Sequence, residues 1–313
     1  MSGLNILSLF DGIASGRVAL ERAGIQVDNY FASEIDKYAI KIAQKNYPDT
    51  IQLGDINDWE SWDLPPIDLV MGGSPCQGFS VAGKRMNFDD PRSQLYFKFL
   101  EILEHCSPKY FLLENVKMNR DCLNIITESI GVEPIHINSR LVSAQNRPRW
   151  YWTNLDVEQP EDRGIYLKDI LEPEVDEKYY IKAGRLKWLK EFGEVKEKQG
   201  YVAFNPDKAK CLTVRPEPSW NTTYLVQWPH GTNKGGFRAV DGKTPSVTTS
   251  SWESNNYLLE EGYVRKLTPV ECERLQTLPD GFTEGVSNSQ RYKAIGNGWT
   301  VDVIAHIFGG IKP

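Results

Sequence analysis

The stretch NILSLFDGIASGRVALERAGIQVDNYFASEID, residues 5–36, sets the architecture of the chain. Its first segment, NILSLF (5–10), is too short for a helix and nearly apolar throughout, as in a central strand covered on both faces. A glycine-containing turn follows, then helical spacing over 15–24 and a second strand, NYFAS (29–33). Strand, helix and strand in that order form a parallel pair joined by a right-handed crossover.

The alternation continues to about residue 155. IQLG (51–54), IDLVM (67–71), KYFLLEN (109–115), IHINSRLVS (135–143) and RWYWTNL (149–155) have strand character, and 36–46, 92–106 and 119–130 have helical spacing. The pattern predicts a mostly parallel, doubly wound α/β sheet that holds its ligands beyond the carboxyl ends of the strands. After TNLDVEQPEDRG (153–164) it breaks. Residues 159–262 are rich in Pro, Gly, Trp and Lys, with short irregular strands, and predict a smaller β-rich second domain. Within it CLTVRPEPSWNTTYLV (211–226) echoes PSVTTSSWESNNYLLE (245–260), either as two related hairpins or as shared core packing. From 263 helical spacing returns. TPVE (268–271) is a capping box that opens a helix running to about Leu278, and Val301, Val303, Ile304, Ile307 and Phe308 predict a last helix packed on the first sheet. The first domain is therefore expected to comprise 1–158 and 263–313.

With 313 residues, 40% of them hydrophobic, the chain can bury a sizeable core. It has no apolar run of membrane-spanning length and no leader pattern at its start, so a cytoplasmic location is expected. Five cysteines (76, 106, 122, 211, 272) form no C-x-x-C pair and four histidines are scattered, which fits neither a disulfide framework nor a metal site. His105, His136 and His306 are expected to be packing or surface residues. The net charge is −6, yet residues 185–266 carry 13 Lys and Arg against 9 Asp and Glu, leaving room for a local basic face.

Chemistry enters at GGSPCQGFS (72–80), directly after an apolar strand. Cys76 sits among residues that turn the backbone sharply and admit another molecule, unlike a cysteine buried for packing. Acidic residues stand at successive strand ends: Asp11, Glu34 and Asp55. Together they would repel a phosphate-rich ligand but suit a nucleoside bearing a cationic sulfonium, which describes S-adenosylmethionine; each one alone could equally be a helix cap. Glu114 ends a further strand, and QNRPR brings Gln145, Arg147 and Arg149 ahead of another. A thiol, a carboxyl group and guanidinium groups converging on one cleft can polarise a pyrimidine, add sulfur to C6 and make C5 nucleophilic. A structural ion pair between Glu114 and an arginine is the alternative.

The ordered set FDGIASG, SEID, GDIND, GGSPCQGFS, ENV, QNRPR, RKLTPVECERLQTLPDGF and AIGNGW resembles the cytosine-5 DNA methyltransferase family over about two thirds of the chain. LFDGIASG, GIQVDNYFASE, VSAQNRPRWYWTNL and the Trp of GNGW are most similar to the de novo branch of eukaryotic enzymes, in a chain as compact as a bacterial or phage modification enzyme. The resemblance implies a Rossmann-like, S-adenosylmethionine-dependent methyltransferase fold, with 159–262 as the target-recognition domain. It implies Cys76 as nucleophile, Glu114 at N3 of a flipped-out cytosine, and Arg147 and Arg149 around the base and thiol. Phe10, Gly12, Ile13, Glu34, Ile35, Asp55, Ile56, Pro75, Leu95, Asn297 and Trp299 would line the cofactor pocket. Ala14 replaces a glycine common in the family and Trp299 a smaller residue. Double-stranded DNA is the implied partner, bound by a monomer without metal, and S-adenosyl-L-homocysteine the implied product. Candidate DNA contacts are Ser80, Lys84, Arg85 and Arg92 in the loop after Cys76, and Lys208, Lys210, Arg215, Trp220, Lys234, Arg238 and Trp252 in the second domain. An RNA cytosine-5 methyltransferase is the nearest rival, followed by a catalytically silent DNA-binding relative and, more distantly, a nicotinamide oxidoreductase.

Overall fold

The structure, a computed structural model, describes residues 3–74, 91–116, 118, 120–180, 224–227, 236–239, 244–246, 257–260 and 263–312. At 91–93, 224–227, 236–239, 245, 257–260 and 263–264 it describes the backbone alone. The first half alternates β1 (Leu4–Leu9), α1 (Ser15–Arg22), β2 (Val27–Ser33), α2 (Lys37–Asn46), β3 (Ile51–Gln52), β4 (Leu69–Gly72), α3 (Pro91–Cys106), β5 (Tyr110–Asn115), α4 (Arg120–Ile130), β6 (Ile135–Asn138), β7 (Gln145–Asn146) and β8 (Pro148–Thr153). Seven strands form one sheet in the order β3-β2-β1-β4-β5-β8-β6. Its pairs are parallel except those of β8, which runs antiparallel to both β5 and β6. The link from β6 to β8 is too short for a crossover helix, and that forces the reversal.

The strand predicted over 135–143 stops at Asn138. Its side chain accepts from the backbone N–H groups of Arg140 (3.1 Å) and Arg147 (3.0 Å), turning the chain into a short 3-10 segment, Ser139–Leu141. An Asn side chain that offers the backbone an acceptor competes with the strand ladder.

Both faces of the sheet are covered. Ile6, Leu69, Met71 and Leu112 pack toward α1 and the last helix, whereas Leu7, Leu9, Val70 and Leu113 pack toward α3 with Tyr96, Phe99 and Trp152. Successive strand residues thus bury on opposite sides, which is why these strands read as continuous apolar runs. After the second sheet come α5 (Pro269–Leu275), α6 (Asn288–Asn297) and α7 (Val301–Phe308). The five apolar residues singled out on α7 are wholly buried.

The second sheet joins β9 (Tyr224–Gln227), β10 (Gly236–Ala239), β12 (Tyr257–Glu260) and β13 (Tyr263–Lys266) in the antiparallel order β10-β9-β12-β13. The Tyr-Leu strands of the internal repeat pair with each other, Leu225 opposite Leu258. Apart from Pro245 and Ser246, the rest of both repeats lies outside the described residues. A two-residue β11 (Thr244–Pro245) runs parallel to β7, beside the segment that leads into Arg147.

The capping box at the start of α5 forms as predicted: Glu271 Oε2 accepts from Thr268 N at 2.8 Å and Thr268 Oγ1 accepts from Glu271 N at 3.1 Å. The helix ends at Leu275, earlier than the apolar spacing predicts, because Thr277 turns left-handed (φ 55°) and the N–H groups of Thr277 and Leu278 close back on Arg274 and Glu273. Glu271 also binds the guanidinium of Arg265 from β13 through both oxygens, at 2.8 and 2.9 Å, and both side chains are buried. Glu271→Ala would leave a buried guanidinium without its carboxylate, at a cost of about 3–5 kcal/mol. Thr268→Ala, which removes a cap, is expected to cost about 1 kcal/mol, and urea unfolding of the two variants measures the contrast.

Candidate active site

The strand order reverses at β1, whose chain proceeds outward to β2 and β3 and then returns to β4 on the other side. A crevice must open there beyond the carboxyl ends. The turn after β1 contains three left-handed residues, Phe10 (φ 57°), Gly12 (φ 62°) and Ala14 (φ 61°). A left-handed backbone costs a non-glycine residue about 1–2 kcal/mol, which explains why a glycine is common where this chain has Ala14. A side chain built on Gly12 would meet none of the described residues within 4 Å, so among these residues the space above the turn is open.

The acidic strand ends divide into two kinds. Glu34 Oε2 accepts from Gly12 N, and Oε1 accepts from Ile35 N and Asp36 N, each at 2.8 Å, so this carboxylate pins the glycine turn at the crevice. Asp55 caps the following 3-10 segment through Asn57 N at 2.9 Å and remains half-buried. Asp11 departs from the expected cluster. It is folded under the turn, where Tyr30 Oη donates to Oδ1 at 2.6 Å and Oδ2 has no hydrogen-bond partner. Burial pushes its carboxyl up to about 6 against the hydrogen bond from Tyr30 that pulls it down.

Ile35 is 73% exposed beside Glu34, an apolar surface at the mouth of the crevice. Phe10 and Leu95 are half-buried, and Asn297 is exposed at the end of α6. Ile13 and Ile56 lie inside the two cores and can offer a ligand only backbone. Trp299 closes one wall: a Cβ on Gly16 would lie 3.3 Å from its Cζ3, and one on Gly73 would lie 3.0 Å from its Nε1. That same Cβ would lie 3.0 Å from Oε2 of Glu114. Gly73 is therefore required where β4 leaves the sheet, because carboxylate and indole approach its backbone together.

Glu114, on β5, meets Arg149, on β8, with Arg149 Nε 2.9 Å from Oε1 in an ion contact whose N–H is not aligned on the oxygen. Nη1 of Arg149 donates to the Pro148 carbonyl at 2.8 Å. The structural pairing weighed from the sequence thus exists, at the carboxyl end of β5 beside Gly73. Arg147 is buried too, and its Nη2 donates to the carbonyls of Gly296 (3.1 Å) and Gly298 (3.0 Å). Gln145 Nε2 donates to Leu275 O and Gln276 Oε1, both at 3.1 Å, a packing role rather than one at the crevice.

Residues that sequence reasoning overlooked hold these groups in place. Asn115 Nδ2 donates to Ser74 Oγ (3.2 Å) and Ser74 O (3.4 Å), tethering the start of the loop after β4 to the strand that carries Glu114. A polar residue at a strand end next to Glu114 was a signal for it. Gln276 had no such signal. Pro75, Cys76, Ser80, Lys84, Arg85, Lys208, Lys210, Arg215, Trp220, Lys234 and Trp252 lie outside the described residues, as do the side chains of Arg92 and Arg238. His105 packs on Trp59, His136 on Trp150, and His306 Nε2 lies 2.8 Å from Glu158 O. Among the described residues no group of three or more His, Cys, Asp or Glu is arranged to hold a metal, and no helix is long and apolar enough to cross a membrane.

Asp11 predicts a measurable pH dependence. Its folded pKa lies above the unfolded value of 3.8, so the stability it contributes is full below that value and is lost as pH rises through about 6. Asp11→Asn is expected to remove about 1 kcal/mol from the stability difference between pH 5 and pH 7.5, measured by urea unfolding at both.

Comparison with known proteins adds relatives to this geometry. The model of the C-5 cytosine-specific DNA methylase family matches residues 4–313. The orphan methyltransferase M.SPRI of Bacillus phage SPR is 29% identical, the alignment covering 98% of this chain and 97% of the relative. The type II methyltransferase M.NlaX of Neisseria lactamica is 32% identical over 98% and 96% of the two chains. Among solved structures, the Dnmt2 methyltransferase of S. pombe superposes with a TM-score of 0.64 at 18% identity, covering 97% of each chain.

Proposed function

The chain belongs to the C-5 cytosine-specific DNA methylase family, and from that premise we infer that it is a DNA (cytosine-5-)-methyltransferase of compact bacterial or phage type. The observation that carries the mechanism is the Glu114–Arg149 pair standing against Gly73, three residues before Cys76.

The crevice fits S-adenosylmethionine. Among the described residues open space lies over Gly12, exposed Ile35 supplies an apolar face for a purine, and Glu34 and Asp55 supply acceptors for ribose hydroxyls or a cationic centre. Phe10, Gly12, Glu34, Ile35, Asp55, Pro75, Leu95, Asn297 and Trp299 would hold it, with Ile13 and Ile56 contributing backbone. When bound, the cofactor supplies an electrophilic sulfonium methyl and leaves as S-adenosyl-L-homocysteine.

The protein's own part concerns the base. Cytosine in a duplex is shielded by stacking, so the target must be flipped out of the helix. Glu114 shares a proton with N3 while Arg149 donates to O2, withdrawing electrons from the ring in a site shielded from water. The Cys76 thiolate then bonds to C6, which makes C5 a nucleophile. Once C5 carries its methyl group, loss of the C5 proton re-forms the C5–C6 double bond and expels the thiolate. Residues 159–262 form the target-recognition domain on a catalytic domain of 1–158 and 263–313, and the enzyme acts as a monomer on double-stranded DNA in the cytoplasm.

Label from S-adenosylmethionine is expected in duplex DNA and not in folded RNA when the purified protein is offered both. The reverse preference would transfer the reading to RNA. Cys76→Ala is expected to abolish transfer while retaining DNA binding. DNA carrying 5-fluorocytosine at the target should trap a denaturation-resistant adduct with the wild type only. Glu114→Gln should lower kcat by about 10²–10⁴, the range for losing a positioned acid.

A further inference from the structure

Arg147 and Arg149 lie two residues apart, yet their side chains serve different elements. Arg149 pairs with Glu114, whereas Arg147 reaches across to the end of α6, where it donates to Gly296 O and Gly298 O. Only 5% of Arg147 is exposed. The last carbonyls of a helix have no partner within the helix, and a guanidinium there gains from charge-assisted bonds and from the negative end of the helix dipole. Gln276 shares the Gly298 carbonyl and serves the same helix end, donating from Nε2 to Ile295 O at 2.9 Å and to Gly298 O at 3.1 Å. Its Oε1 in turn accepts from Thr300 Oγ1 at 2.8 Å. The residue enclosed by these bonds, between Gly298 and Thr300, is Trp299.

We propose that Arg147 is a positioning residue: by gripping the carbonyls at the end of α6, together with Gln276, it sets Trp299 as the wall between Gly16 at the start of α1 and the Glu114 side of the crevice at Gly73. The assignment depends on the methyltransferase function inferred above and specifies how its cofactor pocket is kept in shape. It moves Arg147 from the base to the cofactor. A residue touching the flipped cytosine would act on DNA binding and on adduct formation, whereas a residue that sets Trp299 acts on the cofactor even when no DNA is present.

The test is calorimetric titration of S-adenosyl-L-homocysteine into the protein without DNA, followed by steady-state kinetics. Loss of two charge-assisted hydrogen bonds to the Trp299 segment in R147M is expected to weaken this binding by about ten-fold or more. The KM for S-adenosylmethionine should rise in parallel and the KM for DNA should stay within about two-fold, since that contact is not Arg147's. R147K should recover part of the affinity, because an ammonium keeps the charge but loses the planar fork. Adding R147M to W299A should weaken binding little beyond W299A alone, as expected of two residues acting through one contact. Unchanged S-adenosyl-L-homocysteine affinity in R147M, or a defect confined to DNA binding and adduct formation, overturns the proposal. If R147M does not fold, Q276M, which removes one of the two grips on Gly298, is read in the same titration, and unchanged affinity there overturns it as well. Failure of the wild type to bind S-adenosyl-L-homocysteine would instead overturn the methyltransferase function on which the assignment depends.

Discussion

Buried side chains satisfy the carbonyls at the ends of helices α5 and α6, and the site is assembled by the groups that do so. Ser143 Oγ and Gln145 Nε2 donate to Leu275 O at the end of α5, and Gln276 and Arg147 serve the end of α6. All these donors except Gln276 come from the segment that joins β6 to β8. The segment that leads to Arg149 is therefore the same one that binds the C-terminal helices to the sheet. Gln276 illustrates how complete the arrangement is: both amide hydrogens and the oxygen are used, the latter twice. Inside a protein such a network is favourable only when every member has a partner, which makes its geometry specific.

The same region joins the two sheets. Arg265, on the last strand of the second sheet, reaches Glu271 of the capping box, and Glu271 Oε1 also accepts from Glu172 N at 3.0 Å. Leu167 and Ile170 pack with Leu267, Leu275 and Ile295 in a third apolar cluster. From the other side, Thr244 N donates to Ala144 O at 2.7 Å, one residue before Gln145. Residues 167–172 and β11 of the proposed target-recognition domain thus meet the proposed catalytic domain at α5 and at the approach to Arg147 and Arg149. This gives a direct mechanical route between the domain that would read a sequence and the side chains that would hold the base.

The cofactor side is shaped by strain and burial. Phe10 and Ala14 are held left-handed, and Asp11 is buried with one oxygen lacking a partner. Such features cost free energy in a fold and persist only where the surroundings enforce them. Here the enforcement is visible in Glu34, which holds the amide of Gly12 from the next strand, and in Tyr30, which holds Asp11 from beneath. A turn secured from both sides leaves the space over Gly12 open.

What the sequence determined by itself is whatever repeats at short range or depends on residue type. Apolar runs of strand length, helical spacing between them and the capping box at 268–271 were legible because period and cap chemistry are local, and the strand-end positions of Glu34, Asp55 and Glu114 followed from them. The family resemblance followed from ordered motifs in the same way. Tertiary structure alone decided that Asp11 turns inward while Glu34 faces the crevice, that the strand at 135 stops at Asn138, and that Arg147 serves α6 while Arg149 serves Glu114. The physical reason is that Arg147 and Gln276 bind backbone carbonyls. Every residue carries one, so a partner 149 positions away leaves no mark in the sequence, and only the burial of a helix end reveals which carbonyls need a donor.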